Sequence, residues 1–410
     1  MPDSARGWKV VAALFVVLMA SSGLGFYSLP IFVRVMSEEG AFSVHTISTA
    51  SAIFFATSGV TGLAVARALA RMDVRWVVTA GGLLGALCLL ALGQVGDRTT
   101  LYLVYALFGV GFSATSLIPA MTVVARWFER QRAIAVGVVS TGLSCGGVVV
   151  APLVAGLAER HGLSAIAPWL ACGYLLGTIP LTWAFVRDGP HGRLHGPAGT
   201  NTSVPGVPYR AAVRGPFFAW FSLAYVFLMG AQVGAMMHVY NLASLRIDSG
   251  FGQLVVALIA VSSICGRFGG GFLLTRVSVY PVASVLCAVQ ALTLAALSFS
   301  DNGLAIGIAT VGFGLSVGNL LMMQPLIVID AFGVRDYAKI YALTQLLTTV
   351  GYAVGPELMG GMFDSAGNYR GAFFGAAVAA AAGFVCFRIA VSRRPREDLS
   401  QPLVGGRLGS

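Results

Sequence analysis

Apolar residues along this chain fall into twelve long runs separated by short polar breaks. The runs cover about 8–34, 44–66, 75–94, 100–126, 132–157 and 164–186, then 216–242, 253–275, 279–299, 303–329, 340–363 and 371–392. Each is near the roughly 20 residues that a helix needs to cross the hydrocarbon of a bilayer. The pattern predicts an all-α membrane protein with twelve transmembrane helices in two six-helix halves, residues 1–186 and 215–392. A cytoplasmic linker at 187–214, rich in Gly and Pro, joins the halves, and a polar tail at 393–410 follows. The first run lacks an A-x-A-like cleavage site and reads as a retained span, not a signal peptide.

Composition agrees. Charged residues make up 10% of the chain, apolar types 57%, and the mean hydropathy is +0.83. A soluble protein carries about 25% charge, so too few charges are present to solvate a large soluble domain. A cytosolic enzyme, a secreted disulfide scaffold and a disordered chain are excluded. The 52 glycines suit close helix packing in lipid. Gly109, Gly111 and the run Gly269, Gly270 and Gly271 lie within spans with no preceding strand, so they read as packing positions and not as phosphate cradles. The six cysteines lie in apolar runs without a C-x-x-C pair and read as buried inert thiols. With no Walker motif, metal cluster or nucleophile triad in the sequence, neither an enzyme nor a cofactor is expected.

The net charge of +10 is explained by topology. Of the 26 Lys and Arg residues, twenty fall on one side of this threading, Arg71, Arg75 and Arg276 among them. Five fall on the other (Arg34, Arg98, Arg160, Arg246, Arg370), and Arg267 lies within a span. Positive charge favours the cytoplasm, so both termini are expected there, with no need for nucleic acid as a partner. The preference for Arg over Lys suggests a GC-rich bacterium and its cell (inner) membrane.

An internal repeat supports the division into halves. A shift of 204 residues places Phe128 on Phe332, Pro152 on Pro356 and Gly156 on Gly360, and a shift of 205 places Arg71 on Arg276. Parallel repeats of this kind build alternating-access transporters.

The motifs carry a family resemblance. Ala66, Ala70, Arg71, Asp73 and Arg75 resemble a worn G-x-x-x-D-R-x-G-R loop of the major facilitator superfamily, with only basic residues kept, Arg71 in register and Arg75 one residue past the last position. The resemblance implies that this loop helps hold the halves together at the inner face. Three further blocks resemble the monocarboxylate transporter and oxalate:formate antiporter branch. They are Trp127 and Phe128 through Gly137, similar to W-F-x-x-x-R-x-x-A-x-G; Gly266 and Arg267 through Arg276, similar to G-R-x-x-x-G-x-L-x-D-R; and Gly351, Gly355, Pro356, Gly360, Asp364, Gly367 and Tyr369, similar to G-x-x-x-G-P-x-x-x-G-x-x-x-D-x-x-G-x-Y.

Arg267 stands out without any family. It lies about 12 Å above the inner end of its span, near the bilayer middle. A cation there costs from about 2.5 to over 10 kcal/mol and marks a site that needs an anion or a water-filled cavity. No Asp or Glu lies at similar depth in this threading. Glu357 is the other intramembrane ion and sits about 25 Å up its span. A bound carboxylate fits the guanidinium fork; the competing reading is snorkelling to the interface. The resemblance implies the same role, since the Arg of G-R-x-x-x-G is taken to bind the substrate carboxylate. Animal-type relatives carry an Asp for proton coupling where this chain has Ser263, and oxalate antiporters carry a second cation that is absent here. One midplane cation balances one carboxylate, which points to a monocarboxylate.

Further polar residues are weighed at similar depth. Asn319 and Gln345 are either hydrogen-bonding partners of a substrate oxygen or helix–helix contacts. Tyr27 and Ser28 precede Pro30, where the first span is expected to break and line the cavity; Tyr27 and Tyr352 are otherwise interfacial aromatics. Ser116 and Ser140 read as bonded to their own helices. His238 and Glu357 are the titratable candidates for proton coupling. The expectation is a secondary transporter of a small monocarboxylate such as lactate or pyruvate, coupled to a proton, embedded in lipid and monomeric. A carboxylate exchanger and a drug exporter on the same fold are the alternatives, with a membrane enzyme or receptor as the reading from another class.

Overall fold

The structure, a computed structural model, describes residues 5–38, 44–187, 189 and 206–394. Most of the linker (188 and 190–205) and the tail beyond 394 lie outside the described residues, as does the side chain of Arg34.

The N-terminal group comprises α1 (Ala5–Ser21), α2 (Leu29–Glu38), α3 (Val44–Arg71), α4 (Val74–Leu92), α5 (Arg98–Thr115), α6 (Leu117–Trp127), α7 (Arg132–Cys145), α8 (Ala151–His161) and α9 (Leu163–Phe185). After the short α10 (Tyr209–Arg214) come α11 (Pro216–Arg246), α12 (Ser249–Leu273), α13 (Val279–Phe299), α14 (Gly303–Phe332), α15 (Tyr337–Ala366) and α16 (Arg370–Ser392). Helix starts are set by polar caps. The Asp97 carboxylate accepts the Thr99 and Thr100 N–H groups, Asp248 accepts Phe251 N–H, and Asn302 accepts Leu304 N–H.

Eleven helical segments among the described residues are long and apolar enough to cross a membrane. α15 is 30 residues long but carries Lys339, Gln345, Glu357, Asp364 and several threonines, which lower its hydropathy. The outward faces are apolar, with Leu87, Leu176 and Leu292 among the most exposed side chains, a surface that only lipid accommodates without penalty. The chain is a multi-pass membrane protein. Of the cysteines, Cys88, Cys287 and Cys386 are buried as expected, whereas Cys172 and Cys265 lie on exposed faces.

Packing in the second group follows the first pair for pair. α1 packs on α7 and α9, α3 on α5, and α4 on α5 and α9; α11 packs on α15 and α16, α12 on α14, and α13 on α14 and α16. Trp8 stacks edge-on against Phe128 at 5.4 Å, and Phe217 does the same to Phe332 at 5.6 Å. Between the groups, α3 packs on α15 and α7 on α12, two contacts that exchange under the repeat.

Two spans are broken, each for an identifiable reason. α1 runs into a π-helical stretch, Ser22–Phe26, then turns at Tyr27 and Ser28 before α2. This is the break expected ahead of Pro30. The Ser28 hydroxyl donates to Gly23 O at 2.6 Å. α5 and α6 part at Ser116, three residues before Pro119. Pro119 has no N–H for the Thr115 carbonyl, and the Ser21 hydroxyl donates to that carbonyl at 3.1 Å. A second π-helical stretch, Gly146–Val150, joins α7 to α8.

The core is asymmetric from end to end. At the end carrying the basic loops, one buried cluster draws on both groups, with Leu69, Val124 and Phe128 beside Met322, Phe332 and Tyr341. Toward the far end there are two separate clusters, one confined to each group. The groups are therefore joined at the basic end and parted at the far end. Contacts at the basic end include the Val207 N–H to Phe332 O at 2.8 Å, the Tyr209 N–H to Asp336 Oδ2 at 2.9 Å, and Lys339 Nζ to Asp336 Oδ1 at 2.7 Å.

Burial pushes the Asp336 carboxyl up, but Lys339, the Tyr209 N–H and Arg335 outweigh it and hold it below the usual carboxylate range. Its stabilising contribution is present above the unfolded value of about 4 and is lost as the pH falls through the lower folded value. Asp336→Asn is expected to lower the melting temperature of the detergent-purified protein at pH 7. Its difference from the parent should shrink once the pH drops below about 4.

Candidate functional site

The site is built where α7 meets α12. Gly137 leaves room there: a Cβ at that position would sit 3.1 Å from both Arg267 O and Met322 Sδ. α1 lies on the other side of α7, so close at Gly23 and Gly146 that neither has room for a side chain. The Ser22 hydroxyl donates across this crossing to Leu143 O at 2.8 Å. The Tyr27 ring then lies over Gly147, where a Cβ would be 2.8 Å from it. The two π-helical stretches thus bring the end of α1 and the middle of α7 to one point. Such stretches are frequent at functional sites.

Arg267 projects into this point from α12 and is only 2% exposed. Its Nε donates to Gly318 O of α14 at 3.1 Å, and its Nη1 donates to Ser144 Oγ of α7. The Tyr27 side chain is a near neighbour of Ser144 and Arg267. Arg267 therefore connects the C-terminal group to the N-terminal group through neutral partners. Of the five N–H donors of a guanidinium, the remaining three have no protein acceptor among the described residues. No described carboxylate lies within salt-bridge distance of it. The side chain does not reach toward the interface as snorkelling requires.

The other expected residues distribute as follows. Tyr27, in the turn after the first π-helical stretch, and Tyr352, on α15, are both half-buried. Gln345 is half-buried on α15 with Oε1 unpaired among the described residues. Asn319 lies in the seam between α12 and α14, with Nδ2 donating to Leu315 O at 2.9 Å and Oδ1 pressed against Gly270. That Oδ1 has no hydrogen-bond partner among the described residues. Ser263 is buried in the same seam, with its carbonyl against Gly318. Ser140 bonds its own helix at Gly137 O.

The outer candidates lie apart from Arg267. His238 holds Pro356 O at 3.1 Å through Nε2, which must carry the proton because a carbonyl only accepts; Nδ1 lies 3.3 Å from the Tyr369 hydroxyl. Glu357 is exposed on α15. At the basic end, Arg75 Nε donates to Val186 O at 2.8 Å and the guanidinium stacks near Trp183, both within the N-terminal group. Arg71 is exposed, and Arg276, just past the end of α12, is exposed beside Phe272. None of the three is seen reaching across to the other group. A residue that sequence reading passed over, Arg126, is 7% exposed and donates to Leu69 O at 2.9 Å. It lines a cavity of about 30 Å³ between Ala66, Ala70 and Thr122 on one side and Val334 through Lys339 on the other.

Ser144 is the other residue that was passed over. Its signal was its position four residues after Ser140 and just ahead of the Gly146 and Gly147 pair, but nothing in the sequence says which face of α7 turns toward Arg267.

Comparison with known proteins bears on this arrangement. The family described as the Major Facilitator Superfamily matches residues 14–356. The chain is 27% identical to monocarboxylate transporter 11 of Mus musculus over 392 residues, covering 91% of this chain and 84% of that protein. It is 27% identical to monocarboxylate transporter 13 of Rattus norvegicus over 421 residues, covering 96% and 93%. Among solved structures, the human organic anion transporter MFSD10 superposes with a TM-score of 0.72 at 12% identity, covering 94% of this chain and all of that one. The E. coli fucose:proton symporter does so with 0.69 at 15%, covering 93% and 97%.

The seam between α12 and α14 makes a testable demand. Gly270→Ala would drive a methyl into Asn319 Oδ1, and overpacking of this kind costs about 1–3 kcal/mol. The single variant is expected to melt several degrees below the parent. Adding Asn319→Ala should recover part of the loss, a non-additive outcome that two independent sites would not give.

Proposed function

The chain belongs to the Major Facilitator Superfamily, and we propose that it carries a small monocarboxylate across the membrane by alternating access, with Arg267 as the anion-binding residue. That it is a secondary transporter and not an enzyme follows from the family. The substrate, the coupling ion and the site residues are the proposal.

The observation that carries it is the state of Arg267. A buried cation with three unclaimed N–H donors and no carboxylate within reach is costly unless an anion or water is present. Its place at the junction of two helix groups is where an alternating-access carrier holds its cargo. One cation matches one carboxylate. The likeness to two proteins named monocarboxylate transporters supports the same class.

The architecture in this reading is the one expected from sequence. Twelve crossings, α15 included, form two six-helix halves at 1–186 and 215–392, with a linker at 187–214, a tail at 393–410 and both ends in the cytoplasm. The basic end then faces the cytoplasm, and the parted far end makes this an outward-open form. Tyr27, Tyr352 and Gln345 flank the site, while Asn319 and Ser263 hold α12 against α14. Arg71, Arg75 and Arg276 edge the inner face.

Coupling to a proton is the companion proposal, because net entry of an anion against the membrane potential costs about 2.3 kcal/mol per 100 mV. Glu357 and His238 are the titratable groups on the outer part of the C-terminal half. The alternative, exchange of one carboxylate for another, needs neither.

Proteoliposomes test both points. Arg267→Ala is expected to reduce labelled lactate counterflow about 100-fold or more, since removing the partner of a buried charge costs about 3–5 kcal/mol. Arg267→Lys should retain only part of the activity, having charge but no fork. Full activity in the Ala variant would favour an exporter of apolar compounds instead. For coupling, an inward proton gradient should drive net lactate accumulation in a symporter and leave pure exchange unaffected.

A further inference from the structure

A second guanidinium with unused donors lies at the basic end, where the start of α4 meets the end of α9. Arg75 is half-buried there, and its Nε donates at 2.8 Å to Val186 O, the carbonyl just past α9. Its guanidinium carbon lies 5.6 Å from the centre of the Trp183 ring, within the range of a cation–π contact. Trp183 is itself fixed twice. Its indole N–H donates to Thr79 Oγ1 at 2.9 Å, and the Trp76 ring stands perpendicular to it at 5.2 Å. Of the five N–H donors of a guanidinium, those on Nη1 and Nη2 of Arg75 have no acceptor among the described residues. No described carboxylate lies within salt-bridge distance of it, and Asp73 accepts the Arg75 backbone N–H as the cap of α4.

The surroundings identify what meets those donors. Trp76, Trp183 and Phe185 are 57%, 39% and 45% exposed. Arg75 stands in the first turn of a 19-residue helix. At 1.5 Å per residue such a helix is about as long as the hydrocarbon is thick, which places this guanidinium level with the phospholipid headgroups. Tryptophan favours that level. All four guanidinium–ring contacts among the described residues lie at the basic end: Arg75 on Trp183, Arg276 on Phe272, Arg393 on Trp220 and Arg394 on Tyr280. Only Arg394 among them has an acid partner, Asp330. At the far end, Arg246 and Arg370 share the Asp301 carboxylate instead. The ring contacts hold their arginines while leaving the charge unneutralised.

We propose that Arg75, Trp76 and Trp183 form a binding site for the phosphate of an anionic phospholipid in the leaflet at the basic end. The unclaimed Nη edge is a planar fork that matches two phosphate oxygens. The Trp183 ring and the Val186 carbonyl hold that fork in place before the lipid arrives, so little freedom is lost on binding. The exposed Trp76 and Phe185 rings meet the glycerol and the first methylenes of the chains. An anionic lipid is favoured over a zwitterionic one, whose own cationic group competes for the phosphate. In the reading given above this end faces the cytoplasm, where the leaflet carries negative charge. The site is separate from Arg267 and needs no assumption about cargo. It also gives the worn loop a use: the family resemblance implies a loop that ties the halves together, yet Arg75 is held on its own half.

The test is thermal melting of the detergent-purified full-length protein, with phosphatidylglycerol or phosphatidylcholine added in mixed micelles and inorganic phosphate as the soluble control. A ligand of the folded state raises the melting temperature in a saturable way. Phosphatidylglycerol is expected to do so in the parent, with little or no shift from phosphatidylcholine or inorganic phosphate. Arg75→Gln should weaken the apparent affinity for phosphatidylglycerol about tenfold or more, the scale of one lost bidentate ion pair. Arg75→Lys, which keeps the charge without the fork, should lose most of the same affinity. Arg71→Gln removes an equal charge from an exposed neighbour with no ring or carbonyl partner among the described residues, and should change the affinity less than about twofold. Melting in phosphatidylcholine alone shows that each variant is folded, and the two Arg75 variants give independent readings. An equal loss in Arg71→Gln and Arg75→Gln would mean diffuse surface charge and no site. No saturable shift in the parent, or an equal one from phosphatidylcholine or inorganic phosphate, would overturn the lipid assignment.

Discussion

One guanidinium with more donors than acceptors sets the terms for the rest of the molecule. Stripping Arg267 of water costs several kcal/mol, and two neutral oxygens, Gly318 O and Ser144 Oγ, offset only part of it. A fully compensated cation would be a structural pin, closed by a neighbouring Asp or Glu. This one is held by dipoles alone, from helices on both sides of the divide. In the carboxylate reading something exchangeable completes the position, and the parted far end supplies its route of entry.

The helix bundle has to bend in order to deliver partners to that point. α1 and α7 approach so closely at Gly23 and Gly146 that their backbones nearly touch, and both helices widen into π turns there. Each irregularity frees a carbonyl that lipid cannot solvate. The compensation is local and consistently serine: Ser21 serves Thr115 O, Ser22 serves Leu143 O, and Ser28 serves Gly23 O. These short side chains reach a carbonyl without separating the helices, so the bend and the close crossing are compatible. Tyr27 lands over Gly147 as a consequence of that crossing, which ties the shape of the site to the packing of the N-terminal half.

How much of this was legible in the sequence divides along physical lines. Apolar run length and caps such as Asp97 and Asn302 are local signals, and the helices fall close to where they point. The break ahead of Pro30 was legible because proline lacks an N–H. Arg267 was legible because burial of a charge in an apolar run is anomalous wherever it occurs. Ser144 was not, because a serine in a helix most often bonds its own backbone, as Ser140 does, and only the rotation of α7 distinguishes the two. Asn319 was read at the right depth, yet depth does not reveal rotation either. Gly266 and Gly270 turn a groove toward it, and the amide fills that groove. The π stretches had no sequence signature beyond glycine pairs, which also occur at ordinary crossings. The degenerate inner-face loop was legible as degenerate, but Arg126, which reaches the Leu69 carbonyl from another helix of the same half, was not.

The degenerate loop bears on how the proposed carrier would switch. Where the superfamily loop carries an acid, this chain has Ala70, and the facing surfaces enclose only a small cavity beside Asp336 and Lys339. The described contacts joining the halves at this end are packed side chains; the Val207–Phe332 and Tyr209–Asp336 hydrogen bonds tie the linker to the C-terminal half, and the Asp336–Lys339 pair is internal to that half. A ligand can shift a two-state equilibrium only by its differential affinity for the two states. One monocarboxylate on one guanidinium offers a few kcal/mol at most. A strong ion-pair lock across the basic end would exceed that and trap the carrier. For the proposed carrier, the contacts closing this end have to be modest enough for a single small anion to decide between the two states.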